Sequence, residues 1–162
     1  MAFTPEERIA VEILRRLKTV VVEEDQHTRL AEVYRVNRDA TDWTPENNAI
    51  VLVQGSASRL PELDCPGNPP ANAYQLEFAI VGFIRQSDRE ELADQSEVNQ
   101  LVALAKRSIT PDSNWYTFGG ICHDAEFGDV TPFVPSNGSL AGASVQLNVA
   151  YKVSELDPFL VR

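Results

Sequence analysis

The chain is poor in the side chains that ligate metals or form disulfides. Its 162 residues include two cysteines, Cys65 and Cys122, and two histidines, His27 and His123. The cysteines are far apart without a CxxC spacing, and neither histidine stands in a spacing that ligates a metal or serves a nucleophile. We therefore expect two free thiols, although the sequence alone leaves a disulfide open, and we predict no metal site.

Long apolar runs and a surplus of positive charge are also missing. The longest uninterrupted apolar stretches, such as residues 20–22 and 49–53, are far too short to cross a bilayer, and the N-terminus lacks a basic and apolar leader pattern. We expect a protein that is assembled in the cytoplasm and has no membrane partner. Fourteen basic against twenty-four acidic residues give a formal charge of -10, which disfavours tight binding to nucleic acid.

No catalytic signature occurs. The chain has no GxGxxG, HExxH or GxSxG, and Gly119-Gly120 lacks the Lys-Ser/Thr that follows a phosphate loop. Cys122, His123 and Asp124 are adjacent, and contiguous residues do not normally converge into a nucleophile, a base and an orienting group. The acidic residues at positions 88–97 have helical spacing beside a capping box, which is typical of a solvated helix face. We predict no enzyme, no catalytic residue and no cofactor.

Two helices are predicted from start signals and apolar periodicity. Thr4 can cap a first helix with Glu7 at the capping-box position, and an apolar stripe continues to about Lys18. A second capping box at residues 87–90 precedes apolar residues at helical spacing, which predicts a helix over about residues 90–107.

Four segments have strand patterns. They are residues 28–38 with a possible bulge, 49–54 as a strand covered on both faces, 74–85, and 143–153 as a strand with one wet face. The second face of the third strand changes from polar to apolar midway, so we expect a helix or another subunit to cover it at one end.

Glycine and proline predict the connections between these strands. Gly55 is expected to end its strand, residues 56–72 hold four prolines and predict a loop, and residues 128–142 predict a second long loop. The order of elements predicts one α+β domain over residues 1–162. We expect a mostly antiparallel sheet of about four main strands, with two helices on one face and long loops.

Several phrases in order along the chain resemble one protein family. They are ILRRLKTV, AEVYRVNRD, AIVLVQGS, PGNPPANAYQLEFAIVGFIRQSD, WYTFGGI, SLAGASVQLNVAYKV and ELDPFLVR. This organisation resembles that of the tail terminator and tail-completion proteins of long-tailed bacteriophages. The resemblance implies a virion protein that forms a hexameric ring at the head-proximal end of the tail. Such a ring stops polymerisation of the tail-tube protein and joins the tail to the head connector.

The working parts of such a ring are interfaces, and an acidic bore would let DNA pass without specific binding. Three segments are too apolar or too rich in proline to be comfortable as free loops: residues 63–72, 115–118 and 157–161. The alternative interpretation is that each of these segments packs within its own subunit. The predicted interface residues are Leu63, Pro66, Asn68, Pro69, Pro70, Trp115, Tyr116, Phe118, Asp157, Pro158 and Phe159.

Two alternatives remain at the level of the sequence. The chain could form another ring of the phage neck, an adaptor or a stopper, which imaging of tails and of filled heads would distinguish. It could also be a small-molecule binding or enzymatic α+β domain with a pocket near residues 122–126. Loss of an activity in Cys122→Ala and His123→Ala variants would favour that second alternative.

Overall fold

A computed structural model describes residues 3–24, 27–37, 45, 48–85, 91–133 and 140–161, with backbone alone for 22–24, 27–30, 37, 91–95 and 133. The helices are α1 (Pro5–Leu17) and α2 (Glu91–Ile109). The strands are β1 (Val21–Glu24), β2 (His27–Leu30), β3 (Glu32–Asn37), β4 (Ala49–Arg59), β5 (Ala71–Arg85), β6 (Asp124–Phe133) and β7 (Leu140–Ser154). Pro61–Leu63 and Trp115–Thr117 form short 3-10 turns.

Five strands form a mixed sheet in the order β3-β4-β5-β7-β6. Only the β3–β4 pair is parallel among the described strands of this sheet, and β1 and β2 form a separate antiparallel ribbon. The predicted α+β class is confirmed, with five strands in the main sheet where about four were expected.

Both helices pack on the same face of the sheet. The buried stripe of α1, with Ile9 and Ile13, and that of α2, with Val98 and Val102, share one apolar cluster with the inward side chains of β4, β5 and β7. Thr4 caps α1 as predicted, since its Oγ1 accepts a hydrogen bond from the Glu7 N–H at 3.4 Å. We refer below to this face as the helix face and to the other as the outer face.

The outer face is apolar at one end of β5 and polar at the other. Val81 and Phe83 of β5 are buried there with Val51 and Leu140 in a second, smaller cluster. These side chains are buried, but both described helices pack on the other face, so cover by a helix or another subunit stays a prediction. Along β7 the outer face is wet, as predicted, and Gln146 is exposed on it.

The predicted strand over residues 28–38 is wrong as one element. It divides at Ala31 into β2 and β3, which belong to different sheets, and the Ala31 N–H bonds the Val20 carbonyl at 2.8 Å. The start signal at residues 87–90 lies outside the described residues.

Gly55 does not end its strand. β4 continues to Arg59 through a register shift between Gln54 and Ala57, because the long strand β5 offers it hydrogen-bond partners. A Cβ at Gly55 would lie 3.1 Å from the Glu77 carbonyl oxygen, so glycine permits the close approach at this bulge.

The two predicted loops are also shorter than expected. Residues 56–59 and 71–72 of the first belong to β4 and β5, while residues 128–133 and 140–142 of the second belong to β6 and β7. No helix in the described part of the chain is long and apolar enough to cross a membrane.

Candidate interface at one end of the sheet

Two of the three predicted contact segments meet at the end of the sheet where β5 begins and β7 ends. Ala71 pairs with Ser154 at this end. The proline loop (residues 61–70) precedes Ala71, and the C-terminal hook (residues 155–161) follows Ser154. The Glu155 N–H bonds the Pro70 carbonyl at 3.0 Å, so the hook and the proline loop are joined directly.

Backbone and side-chain bonds fix the proline loop to the sheet. Cys65 and Ala71 exchange two backbone hydrogen bonds of 2.9 and 3.0 Å. The Asp64 carboxylate accepts from the Ala73 N–H at 2.8 Å and pairs with Arg59 at 2.5 Å. The Asn68-Pro69 peptide is cis. The loop is therefore held at both of its ends.

The hook folds back along β7. The Ser154 N–H bonds the Leu160 carbonyl at 3.1 Å, and Val161 forms a bridge with Val153. The Asp157 carboxylate accepts from the Phe159 N–H at 3.0 Å, which shapes the turn. This geometry exposes three large apolar side chains together: Leu156 (76%), Phe159 (47%) and Leu160 (45%).

The predicted residues of these two segments lie at the surface. Leu63, Pro66, Asn68, Asp157, Pro158 and Phe159 are exposed, and Pro69 and Pro70 are half-buried. Leu63 of the proline loop is also exposed, on the side of β5 that faces β4, whereas the hook pairs with β7. Grouped apolar exposure of this kind is typical of a contact surface, whereas single exposed apolar residues are ordinary.

The aromatic segment packs within the subunit. Trp115 is half-buried and stacks on Phe127 of β6, with 5.3 Å between ring centroids. Phe118 is 1% exposed and belongs to the core, so its selection as an interface residue is wrong for this conformation. Its aromatic ring contacts Trp115 and the Arg16 guanidinium within the subunit. Of this segment, Tyr116 remains an exposed candidate.

Arg16 orders the aromatic segment from α1, and sequence reasoning missed it. Its side chain is nearly buried, and its guanidinium donates to the carbonyl of Ile109, the last residue of α2, at 2.7 Å and to the Trp115 carbonyl at 3.3 Å. The guanidinium also lies over the Phe118 ring at 4.7 Å. A cation at a helix C-terminus is favourable because unsatisfied carbonyls concentrate negative charge there.

Cys122 is held inside the fold as a hydrogen-bonded thiol. Cys122 is buried and donates its S–H to the Tyr116 carbonyl at 2.9 Å. Burial, assisted by the charge of Asp124, raises the pKa of the Cys122 thiol to about 12. A thiol with such a pKa is a poor nucleophile at neutral pH.

An open cleft of 440 Å³ lies beside the proline loop. Cys65, Asn68, His123 and Lys152 are among the residues that line it, and the Lys152 ammonium donates to the Cys65 sulfur at 3.2 Å. Both cysteines are free, as expected. Within the described ranges, no group of three or more His, Cys, Asp or Glu side chains is arranged to hold a metal ion.

The polar half of the outer face carries acidic side chains. Glu77 of β5 and Glu126 of β6 both pair with Asn148 of β7, so the three lie in one cross-strand row. Asp124 precedes Glu126 by two residues in β6, so its side chain lies on the same face, and Lys152 of β7 lies further along that face.

Comparison of the chain with protein-family models and with curated proteins gives no match.

Proposed function

We propose that the chain is a structural, ring-forming subunit at the head-proximal end of a phage tail, where it terminates the tail tube and receives the head connector. The main support for this proposal is the direct contact between the proline loop and the hook. Two segments more than eighty residues apart in sequence are joined by a backbone hydrogen bond at one end of the sheet, where each exposes apolar side chains.

The physical character of this surface favours a partner. Prolines limit the conformations that a loop can lose on binding, and the bonds of Cys65 and Asp64 already hold the loop. Complete burial of one exposed leucine or phenylalanine contributes about 1.5–3 kcal/mol. Leu156, Phe159 and Leu160 of the hook keep 45–76% of their surface exposed, so each can contribute part of this free energy to the binding of a neighbouring protein.

A ring with two different faces explains how termination would work. A heterologous contact that closes on itself makes a ring, and its two faces are chemically distinct. One face would bind the last ring of tail-tube protein, and the other would offer the head connector a surface on which no further tube protein can add. The proposal therefore includes a location in the virion and two partners, the tail-tube protein and the head connector.

The oligomeric state tests the proposal with matched variants. We expect a purified protein that forms rings, and we expect Leu156→Ser with Phe159→Ser to weaken either the ring or its attachment to tail tubes, because both side chains are exposed and apolar. Val11→Ser is the control, since Val11 is 44% exposed on α1 and serine has a similar helix propensity. Mass photometry and binding to purified tubes measure both effects. Equal behaviour of the double variant and the control would contradict the role of the hook.

The outer face supplies a second prediction, about DNA. If the face with Glu77 and Glu126 lines the bore, the ring should not retain duplex DNA at physiological salt. Glu77→Lys with Glu126→Lys replaces two negative by two positive charges in each subunit, and should produce DNA binding that weakens as salt rises. Fluorescence anisotropy with labelled DNA measures this change. Tight DNA binding by the unsubstituted ring would contradict an acidic bore.

A neck adaptor or stopper ring is the second candidate, because the same exposed surface could join two connector rings. Density at one end of purified tails supports a terminator, and density on filled heads that lack tails supports an adaptor or stopper. An enzymatic role for Cys122 is not favoured, because its thiol is buried and hydrogen-bonded and its pKa is raised.

A further inference from the structure

In the part of the chain that the structure describes, each edge of the main sheet lacks a strand partner over a short stretch. β3 covers β4 only as far as Gln54, and residues 56–59 beyond it are exposed. Their outer edge hydrogen-bonds no other described segment. This stretch has the sequence SASR, without the prolines or carboxylates that commonly protect strand edges.

The opposite edge of the sheet is β6, and no described strand pairs with its outer side. Residues 124–127 pair regularly with β7, but the register shifts between Phe127 and Val130, and Pro132 follows. A bulge and a proline both disfavour pairing with a further strand. Within the described ranges, each edge therefore lacks a strand partner over four residues and is blocked or covered in its remaining part.

The two open stretches lie at the same level of the sheet. Ser58 pairs with Gln75, Gln75 with Ala150, and Ala150 with Asp124, which defines one row across four strands. All three pairings in this row are antiparallel, so β4 and β6 run in opposite directions. If one subunit is placed beside the next at the same level, β6 of the first and β4 of the second are antiparallel as well.

Backbone groups on both edges point outward. The Leu60 N–H bonds the Ala73 carbonyl at 3.0 Å, and because successive residues of a strand face opposite sides, Ala57 and Arg59 direct their N–H and C=O groups away from β5. On β6 the Ala125 N–H bonds the side chain of the preceding Asp124 at 2.9 Å and Ala125 is 6% exposed, so the Asp124 side chain must move away before a further strand can pair there.

We propose that residues 56–59 of one copy pair with residues 124–127 of the next, so that the main sheets join edge to edge around the ring. This inference rests on the proposed ring and specifies its contact. The charges favour a second copy in this orientation. Pairing β6 with another β6 would oppose the carboxylates of Asp124 and Glu126, whereas residues 56–59 carry no carboxylate and the Arg59 guanidinium is already paired with Asp64.

Cysteine crosslinking tests the contact. In a Cys65→Ser background, which removes the exposed native thiol, Ser58→Cys is combined with Asp124→Cys. A second pair, Ser58→Cys with Glu126→Cys, covers a shift of the register by two residues, which returns side chains to the same face. Under mild oxidation, we expect one pair to give a ladder of covalent oligomers that ends at the ring, by non-reducing electrophoresis. Each single-cysteine variant is expected to give no ladder.

The controls separate this contact from the ring itself. Rings visible by electron microscopy without crosslinks in either pair would overturn the edge contact and leave the proposed ring standing. Efficient dimers of Ser58→Cys alone would overturn it in favour of β4 pairing with β4. A protein that forms neither rings nor crosslinks would overturn both proposals. Thermal unfolding establishes that the variants fold, and Ser56→Cys replaces Ser58→Cys if that variant does not.

Discussion

Replacement of Arg16 by alanine is expected to lower the free energy of unfolding by about 3 kcal/mol, because two carbonyls inside the fold lose their donor, at about 1–3 kcal/mol each. The change removes the donors to the carbonyls of Ile109 and Trp115 and the ion pair with Glu12 at 2.9 Å. It also removes the cation over Phe118. Urea unfolding monitored by tryptophan fluorescence measures the loss.

The neighbouring arginine provides a matched control. Arg15 binds the same Glu12 carboxylate, but it lies on the surface and donates to no other group in the described structure. Arg15→Ala is therefore expected to have little effect on stability. Arg16→Lys should recover only part of the loss, because an ammonium cannot reproduce the fork that reaches Glu12 and Ile109 together. Equal destabilisation by Arg15→Ala and Arg16→Ala would contradict the role assigned to Arg16.

Alkaline pH is expected to destabilise the protein, because two buried groups, the Cys122 thiol and the Tyr151 hydroxyl, hold their protons more tightly in the folded protein than in the unfolded chain. Burial raises the pKa of Cys122 from 9.0 to about 12, and burial together with a hydrogen bond to Glu6 raises the pKa of Tyr151 above its ordinary value of 10.0. In the unfolded chain both groups lose their protons at a lower pH than in the folded protein. Their stabilising effect is therefore complete below about pH 9 and is lost as the pH rises, at up to about 1.4 kcal/mol per pH unit for each group.

Substitution assigns this loss to its source. Cys122→Ala should make the decline of stability above pH 9 shallower, and Tyr151→Phe should do the same above pH 10, whatever each substitution costs at neutral pH. Urea unfolding at a series of pH values from 7 to 10.5 measures the slopes. Identical slopes in the variants and the unsubstituted protein would contradict the protonation of these buried groups.

Local signals in the sequence predicted the helices better than the ends of the strands. Thr4 caps α1 through atoms three residues away, so the signal lies within the sequence window that defines it. The continuation of β4 past Gly55 depends on β5, whose partner residues are about twenty positions later. Strand ends depend on such distant partners, so glycine and proline were read as breaks in stretches where pairing continues.

The candidate site was only partly predictable, for the same reason. Apolar and proline-rich composition identified the proline loop and the hook, but their union depends on the pairing of β5 with β7. The same signal selected Phe118, because an aromatic residue beside glycines fits a core turn as well as an exposed contact. Arg16 gave no signal, since its partners are backbone carbonyls 93 and 99 positions away.

Imaging of tail tubes provides the most direct test of the proposed ring. Tubes assembled from purified tail-tube protein are mixed with this chain, stained and examined by electron microscopy, and tube growth is followed after more tube protein is added. The proposed function predicts a ring on one end of each tube and no further growth at that end. A protein that stays monomeric, never binds a tube end and leaves growth unchanged would contradict it.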